Sequence, residues 1–293
     1  MADVTGLPVV GAICRPQTPP EVMLRAAAEA DEAGLAELWL WEDCFLEGGL
    51  TSAAAILAST ERMVVGIGLL PLPLRNVAIT AMEIATLARM FPGRLRVAVG
   101  HGVQPWMGQV GARASSPLGL AREYLTALRA LLAGETVTVN GDYVRLDGVT
   151  LGWPPLTPVP VLLGAVGPKS LALAGECADG VLLDADFSVE SAREAVETCR
   201  AARAAAGVGA PFEVALYQRF YRGPAAESLL ERDLRPGGSA AGVVDDVDAV
   251  AQRARELGGI GVGTVVLMPS GTEADPAGYL RAVAREVAPR VSS

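Results

Sequence analysis

The sequence predicts an α/β fold, a single (β/α)8 TIM barrel with insertions, with residues 1–293 as one domain. Three observations point there. Short apolar runs alternate with helical segments, the pattern of a parallel sheet covered on both faces. Eight such units in 293 residues match the count and size of a barrel. The first apolar run is followed by CRPQTPP. An open doubly wound sheet, the competing architecture, would carry a glycine fingerprint there.

The elements follow in order. Val9 to Cys14 reads as the first strand, and Pro20 to Ala33 as a helix that stops at Gly34, a favourable residue just past a helix end. Glu37 to Trp41 is the second strand and Ser52 to Ser59 a short helix. Met63 to Leu69 is the third strand, followed by an Ala/Leu/Ile helix over Val77 to Met90 that ends at Phe-Pro-Gly. Leu95 to Val99 is the fourth strand and Leu118 to Leu132 its helix. Asn140-Gly141 between alternating segments predicts a tight hairpin. Val161 to Leu163 and Gly180 to Leu183 are the fifth and sixth strands, with helices from about Ser170 and over Val189 to Ala206. Phe212 to Tyr217 is the seventh strand, and a Gly/Pro-rich RPGGSAAG loop leads to a helix near Val243 to Glu256. Gly263 to Met268 is the eighth strand and Pro276 to Val287 the last helix. The segments at 136–147 and 218–242 read as insertions.

Composition narrows the function. A net charge of -9 argues against nucleic acid and against anionic membrane surfaces, because few cations are on offer to replace counterions. No 18-residue apolar run and no signal peptide is seen, so a cytoplasmic protein is expected. The four cysteines form no CxxC pair, and with one histidine no zinc site is expected. Lys169 is the one lysine; every other basic residue is arginine, a bias that suits a GC-rich genome.

Barrel active sites lie where the strands end at their C-termini. The segment after the second strand brings Glu42, Asp43 and Cys44 to that face, and the one after the sixth brings Asp184. These carboxylates leave glycoside hydrolysis open. After the fourth strand comes Gly100-His101-Gly102, holding the only histidine. It is either a proton-exchanging group at the mouth or an ordinary loop histidine. After the fifth strand, Gly164-Ala165-Val166-Gly167-Pro168-Lys169 runs into a helix N-terminus, whose free N–H groups suit a phosphate. A plain turn with a solvated lysine is the alternative. The apolar GIGLLPLPLRN after the third strand suits a wall for something flat, or a loop packed on the rim. Trp41, Phe45, Trp106 and Trp153 are either added ring surface or packing. No GxSxG or HExxH motif is present.

LWLWEDCF, IGLLPLPLRN with the following ATLARMFPGR, VAVGHGV and PVLLGAVGPKSLALAGECADGVLL together resemble the bacterial luciferase-like superfamily of flavin- and deazaflavin-dependent oxidoreductases, over nearly the whole chain. The resemblance implies a barrel that binds coenzyme F420 or FMN at the strand ends. The glycine bulge and the GHG segment look like the F420 branch. In that branch a non-prolyl cis peptide follows the third strand, here at Gly68-Leu69, and Asp43 lies by the deazaflavin. Gly100, His101, Gly102 and the Gly164 to Lys169 loop fall on cofactor-binding positions, and Asp184 on a ring-face or substrate position. Two departures stand out: Cys44 where relatives often have histidine, and Val103 where some have an acid. His101 is then the candidate proton donor, with Asp43 as the second catalytic candidate.

The implied activity is hydride transfer between reduced F420 and an activated C=C, C=N or C=O of a small-molecule substrate, in a likeness that also implies a homodimer. An FMN monooxygenase, a non-catalytic flavin-binding barrel and a non-redox barrel with a phosphate-bearing substrate stay open.

Overall fold

The computed structural model describes residues 6–234 and 242–292. Its first half runs β1 (Val9–Cys14), α1 (Pro20–Glu32), β2 (Glu37–Leu40), α2 (Gly49–Ser59), β3 (Val64–Pro71), α3 (Val77–Met90), β4 (Leu95–Gly100), α4 (Gln104–Gln109) and α5 (Pro117–Leu132). A hairpin of β5 (Val137–Asn140) and β6 (Arg145–Val149) follows. The second half is β7 (Val161–Gly164), α6 (Pro168–Cys177), β8 (Gly180–Leu183), α7 (Val189–Ala205), β9 (Glu213–Tyr221), α8 (Ala226–Asp233), β10 (Val243–Val244), α9 (Val247–Gly259), β11 (Thr264–Met268), α10 (Pro276–Ala282) and α11 (Ala288–Ser292).

Eight strands pair in parallel in the order β9-β11-β1-β2-β3-β4-β7-β8, and β8 pairs again with β9, which closes the barrel. The (β/α)8 fold expected from the alternation is therefore present. Helix starts carry their own chemistry. Asn76 accepts the Ala78 amide at 2.9 Å, and Ser188 with Ser191 forms a capping box on α7.

Alternation along the strands sorts two cores. One side of each strand packs on the helices. The other fills the barrel with Ile13, Trp39, Ala98, Leu162, Leu182, Ala215, Tyr217, Val266 and Met268. Trp39 is fully buried there. A Cβ on Gly66 would stand 2.4 Å from its indole, so β3 is glycine-rich because the barrel is filled by this ring. Below it, Arg96 bonds Glu37 and Glu213, each at 2.7 Å, and the Trp39 indole N–H donates to Glu37 at 2.9 Å. That network ties β4, β2 and β9 across the barrel.

Three expectations need correction. The hairpin exists, but Asn140 pairs with Arg145, so four residues connect the strands and no two-residue Asn-Gly turn forms. The Glu123 carboxylate accepts the amides of Asp142, Tyr143 and Val144, and this outside acceptor sets the wider loop. The segment expected as an insertion from residue 218 begins as strand: β9 continues to Tyr221, and α8 follows it. The helix expected from Val243 starts at Val247, where the Asp246 side chain accepts the Ala249 amide. Most of the RPGGSAAG loop lies outside the described residues.

Candidate active site

The C-terminal ends of the strands enclose a cavity of about 500 Å³. Its wall includes Asp43, Gly68, Leu69, His101, Gly102, Asp184 and the run from Gly164 to Gly167, all named from the sequence. Gly100 sits beneath it, buried at the end of β4. Pro168 and Lys169 are not part of this wall. Lys169 instead borders a separate hollow with Arg122 and Glu176. Trp41 and Trp106 contribute rings to the cavity, whereas Phe45 and Trp153 are exposed.

The bulge after β3 shapes the floor. The strand register slips between Gly68 and Leu70, and the Gly68-Leu69 peptide is cis, as the resemblance implied; Cys44-Phe45 is also cis. The Leu69 side chain seats against two glycines. A Cβ on Gly100 would lie 2.6 Å from Leu69 Cδ2, and one on Gly164 would lie 2.4 Å from it. These glycines thus serve the protein's own bulge. Leu70 turns into the outer core, so a single step of pleat separates core from cavity.

Tyr217 holds the bulge from across the barrel. Its hydroxyl donates to the Gly68 carbonyl at 2.6 Å. Its ring meets Trp39 edge-on at 6.2 Å and Trp41 at 5.6 Å between centroids. Burial pushes its phenol far above the usual range, so it stays a neutral donor. Sequence reasoning missed Tyr217. Tyr217 stands in the middle of β9, and only closure of the barrel brings it to the bulge.

The helix after β7 offers its N-terminus to the cavity. Gly167 caps α6 with no side-chain bond, and Pro168 takes the first turn, where no N–H is required. Ser170, in that turn, lines the cavity with Gly164 to Gly167. Uncapped N–H groups beside glycines fit a phosphate.

The ionisable groups divide by environment. His101 lines the cavity with its Nδ1 buried and unpartnered. Burial pulls the imidazole below its ordinary 6.5, against an opposing pull from the Pro117 carbonyl, so it is neutral at pH 7. Burial raises Asp43, and Arg15 counters it. Glu42 is committed elsewhere: it accepts from Arg75 at 2.6 Å and from the Gly49 amide at 2.7 Å. That weakens a glycosidase pair, which needs both carboxylates free. Glu47 keeps Oε1 buried without a partner, and burial, then Asp43, pushes its carboxyl to about 7. Among the described residues, no group of His, Cys, Asp and Glu is arranged to hold a metal.

The arrangement suits a flat ring lying on the Leu69 bulge with its phosphate end at α6. The wall supplies hydrogen-bonding side chains from Asp43, His101 and Asp184, with Trp41, Trp106 and Leu69 beside them to exclude water.

Comparison with known proteins bears on family and fold. Residues 7–258 match the luciferase-like monooxygenase family. A 5,10-methylenetetrahydromethanopterin reductase of Methanolobus tindarius is 34% identical over 179 residues, 59% of this chain and 54% of that one. An F420-dependent glucose-6-phosphate dehydrogenase of Nakamurella multipartita is 30% identical over 200 residues, 56% of this chain and 57% of that one. The matches thus span about half the length of these curated relatives. In shape, the chain is similar to an F420-dependent secondary alcohol dehydrogenase in complex with an F420-acetone adduct. That match has a TM-score of 0.85 at 22% identity and covers 97% of this chain and 99% of that one.

Proposed function

The chain belongs to the luciferase-like monooxygenase family, and on that premise we propose that it is an F420-dependent oxidoreductase. It would move a hydride between the deazaflavin and an activated C=C, C=N or C=O of a small molecule. The observation that carries this is the Leu69 bulge, seated on Gly100 and Gly164 and pinned by Tyr217, beside the uncapped start of α6. Those residues fit a flat ring with a phosphate-bearing tail. The relatives named for F420 favour it over FMN.

Bound F420 supplies the hydride chemistry. The protein's own residues do the rest. The Leu69 bulge supports one ring face, and Tyr217 fixes the height of that bulge. The backbone N–H groups of Val166, Gly167, Lys169 and Ser170, at the uncapped start of α6, would hold the phosphate. Asp43 would border the ring; burial raises its carboxyl above the ordinary range, and Arg15 counters that. His101, neutral at pH 7, accepts the hydroxyl proton when an alcohol is oxidised and returns it when a carbonyl is reduced. Trp41, Trp106 and Leu69 keep water from the site.

We infer one domain over residues 1–293 working in the cytoplasm, from its sequence, and a homodimer on the strength of family likeness. The test is reduced F420 mixed anaerobically with ketones, imines and enones. Reappearance of oxidised F420 with a reduced product is the expected result. Turnover only with FMN and oxygen would contradict it.

A further inference from the structure

Arg15 follows β1, on the side of the barrel mouth that the 500 Å³ cavity leaves free. Its guanidinium lies over the Trp41 ring, 4.8 Å from the centroid. That indole also meets Tyr217, 5.6 Å between ring centroids, and both rings line the cavity proposed for the cofactor. Arg15 itself borders a second cavity of about 340 Å³ with Thr18, Ser270, Gly271 and Thr272, built from the ends of β1 and β11.

The guanidinium is poorly served there. Its Nε is buried without a hydrogen-bond partner, and no ion pair of Arg15 occurs among the described residues. Glu273 borders the same cavity, but its carboxylate accepts the Asp275 amide at 2.9 Å. Arg219, near enough to repel Arg15, is committed to the Ala185 carbonyl and Asp186. Desolvation pulls Arg15 below its ordinary value. A half-buried cation held by an indole face but with no anion against it is costly, and an anion entering from the cavity offsets that cost.

We propose that Arg15 anchors a substrate-binding subsite for a carboxylate, one indole ring away from the cofactor cavity. A planar guanidinium matches a carboxylate in bidentate fashion. Asp43 and Asp233 both act on Arg15 from a distance, and Glu273 shares its cavity. That acidic surround favours a monoanion over a dianionic phosphate. The substrate is then a carboxylic acid whose reacting C–O, C–N or C=C group reaches past Trp41 to the ring. The assignment of the reacting end rests on the redox function proposed above; the anion subsite does not.

The experiment uses the full chain and three probes, benzoate, its neutral isostere benzamide and inorganic phosphate, followed by calorimetry, with F420 titrated separately by fluorescence. Benzoate is expected to bind wild type, and benzamide about tenfold more weakly or worse. Arg15→Met should weaken benzoate about tenfold or more, with Arg15→Lys between, while the F420 dissociation constant stays within about threefold. The Met variant loses an unpaired buried charge, so its melting temperature should equal or exceed wild type, which separates lost binding from lost folding. Benzoate affinity unchanged in Arg15→Met, or no benzoate binding at all, overturns the subsite. Phosphate binding tighter than benzoate overturns the carboxylate class. F420 affinity falling with the Met substitution assigns Arg15 to the cofactor instead. Benzoate binding without F420 binding would leave the subsite standing and sink the redox reading.

Discussion

The Tyr217 hydroxyl donates to the Gly68 carbonyl at 2.6 Å, joining residues 149 positions apart across the barrel mouth. This bond holds the backbone on which Leu69 is presented. Tyr217→Phe leaves a buried carbonyl unpaired, a loss of about 1–3 kcal/mol. The melting temperature should drop by several degrees, and F420 affinity should weaken by about threefold to tenfold. Scanning calorimetry and a fluorescence titration check the two effects.

His101→Ala should lower turnover by about 10²–10⁴-fold, the usual range for a positioned acid-base group. F420 affinity should stay within about threefold, because the imidazole acts on the substrate proton. The imidazole is held below 6.5, so the acid limb of alcohol oxidation should lie below that pH and vanish in the variant. Unchanged turnover would make the histidine structural.

Gly164→Ala tests the seat of the bulge. Its Cβ would stand 2.4 Å from Leu69 Cδ2, so Leu69 must move. F420 affinity should fall about tenfold. Gly152→Ala, where a Cβ meets nothing within 4 Å, should bind as wild type does. Equal affinities for the two variants would remove Leu69 from the floor of the site.

Glu47 gives the fold a pH dependence. Its carboxyl holds its proton up to about 7 when folded, against 4.5 unfolded. The folded state therefore binds this proton more tightly. The contribution is full below 4.5 and is lost as pH rises through about 7. Glu47→Gln should match wild type at low pH and exceed it above 7 by about 1–2 kcal/mol, allowing for solvent screening of a half-exposed group. Thermal melts across that range provide the check.

Much of the architecture is local and therefore legible. Each strand and helix announces itself by its own apolar period and its own cap, so α3 falls where its pattern places it, over Val77–Met90. His101, Asp43 and the Gly164 to Gly167 loop were also within reach, since strand ends map to the barrel mouth. Tyr217 and Arg15 were not. Their roles depend on which distant residues closure brings near, Gly68 for one and Trp41 for the other. The hairpin loop was misread for the same reason: Glu123, 18 residues before Gly141, supplies the acceptor that sets its width.

The most direct test is a titration of the purified apo-protein with F420, followed by the fluorescence of the deazaflavin, beside a parallel series with FMN. Micromolar or tighter binding of F420 and much weaker binding of FMN are expected. Tight FMN with weak F420 would move the protein to flavin chemistry. Binding of neither would contradict both the bulge and the phosphate site.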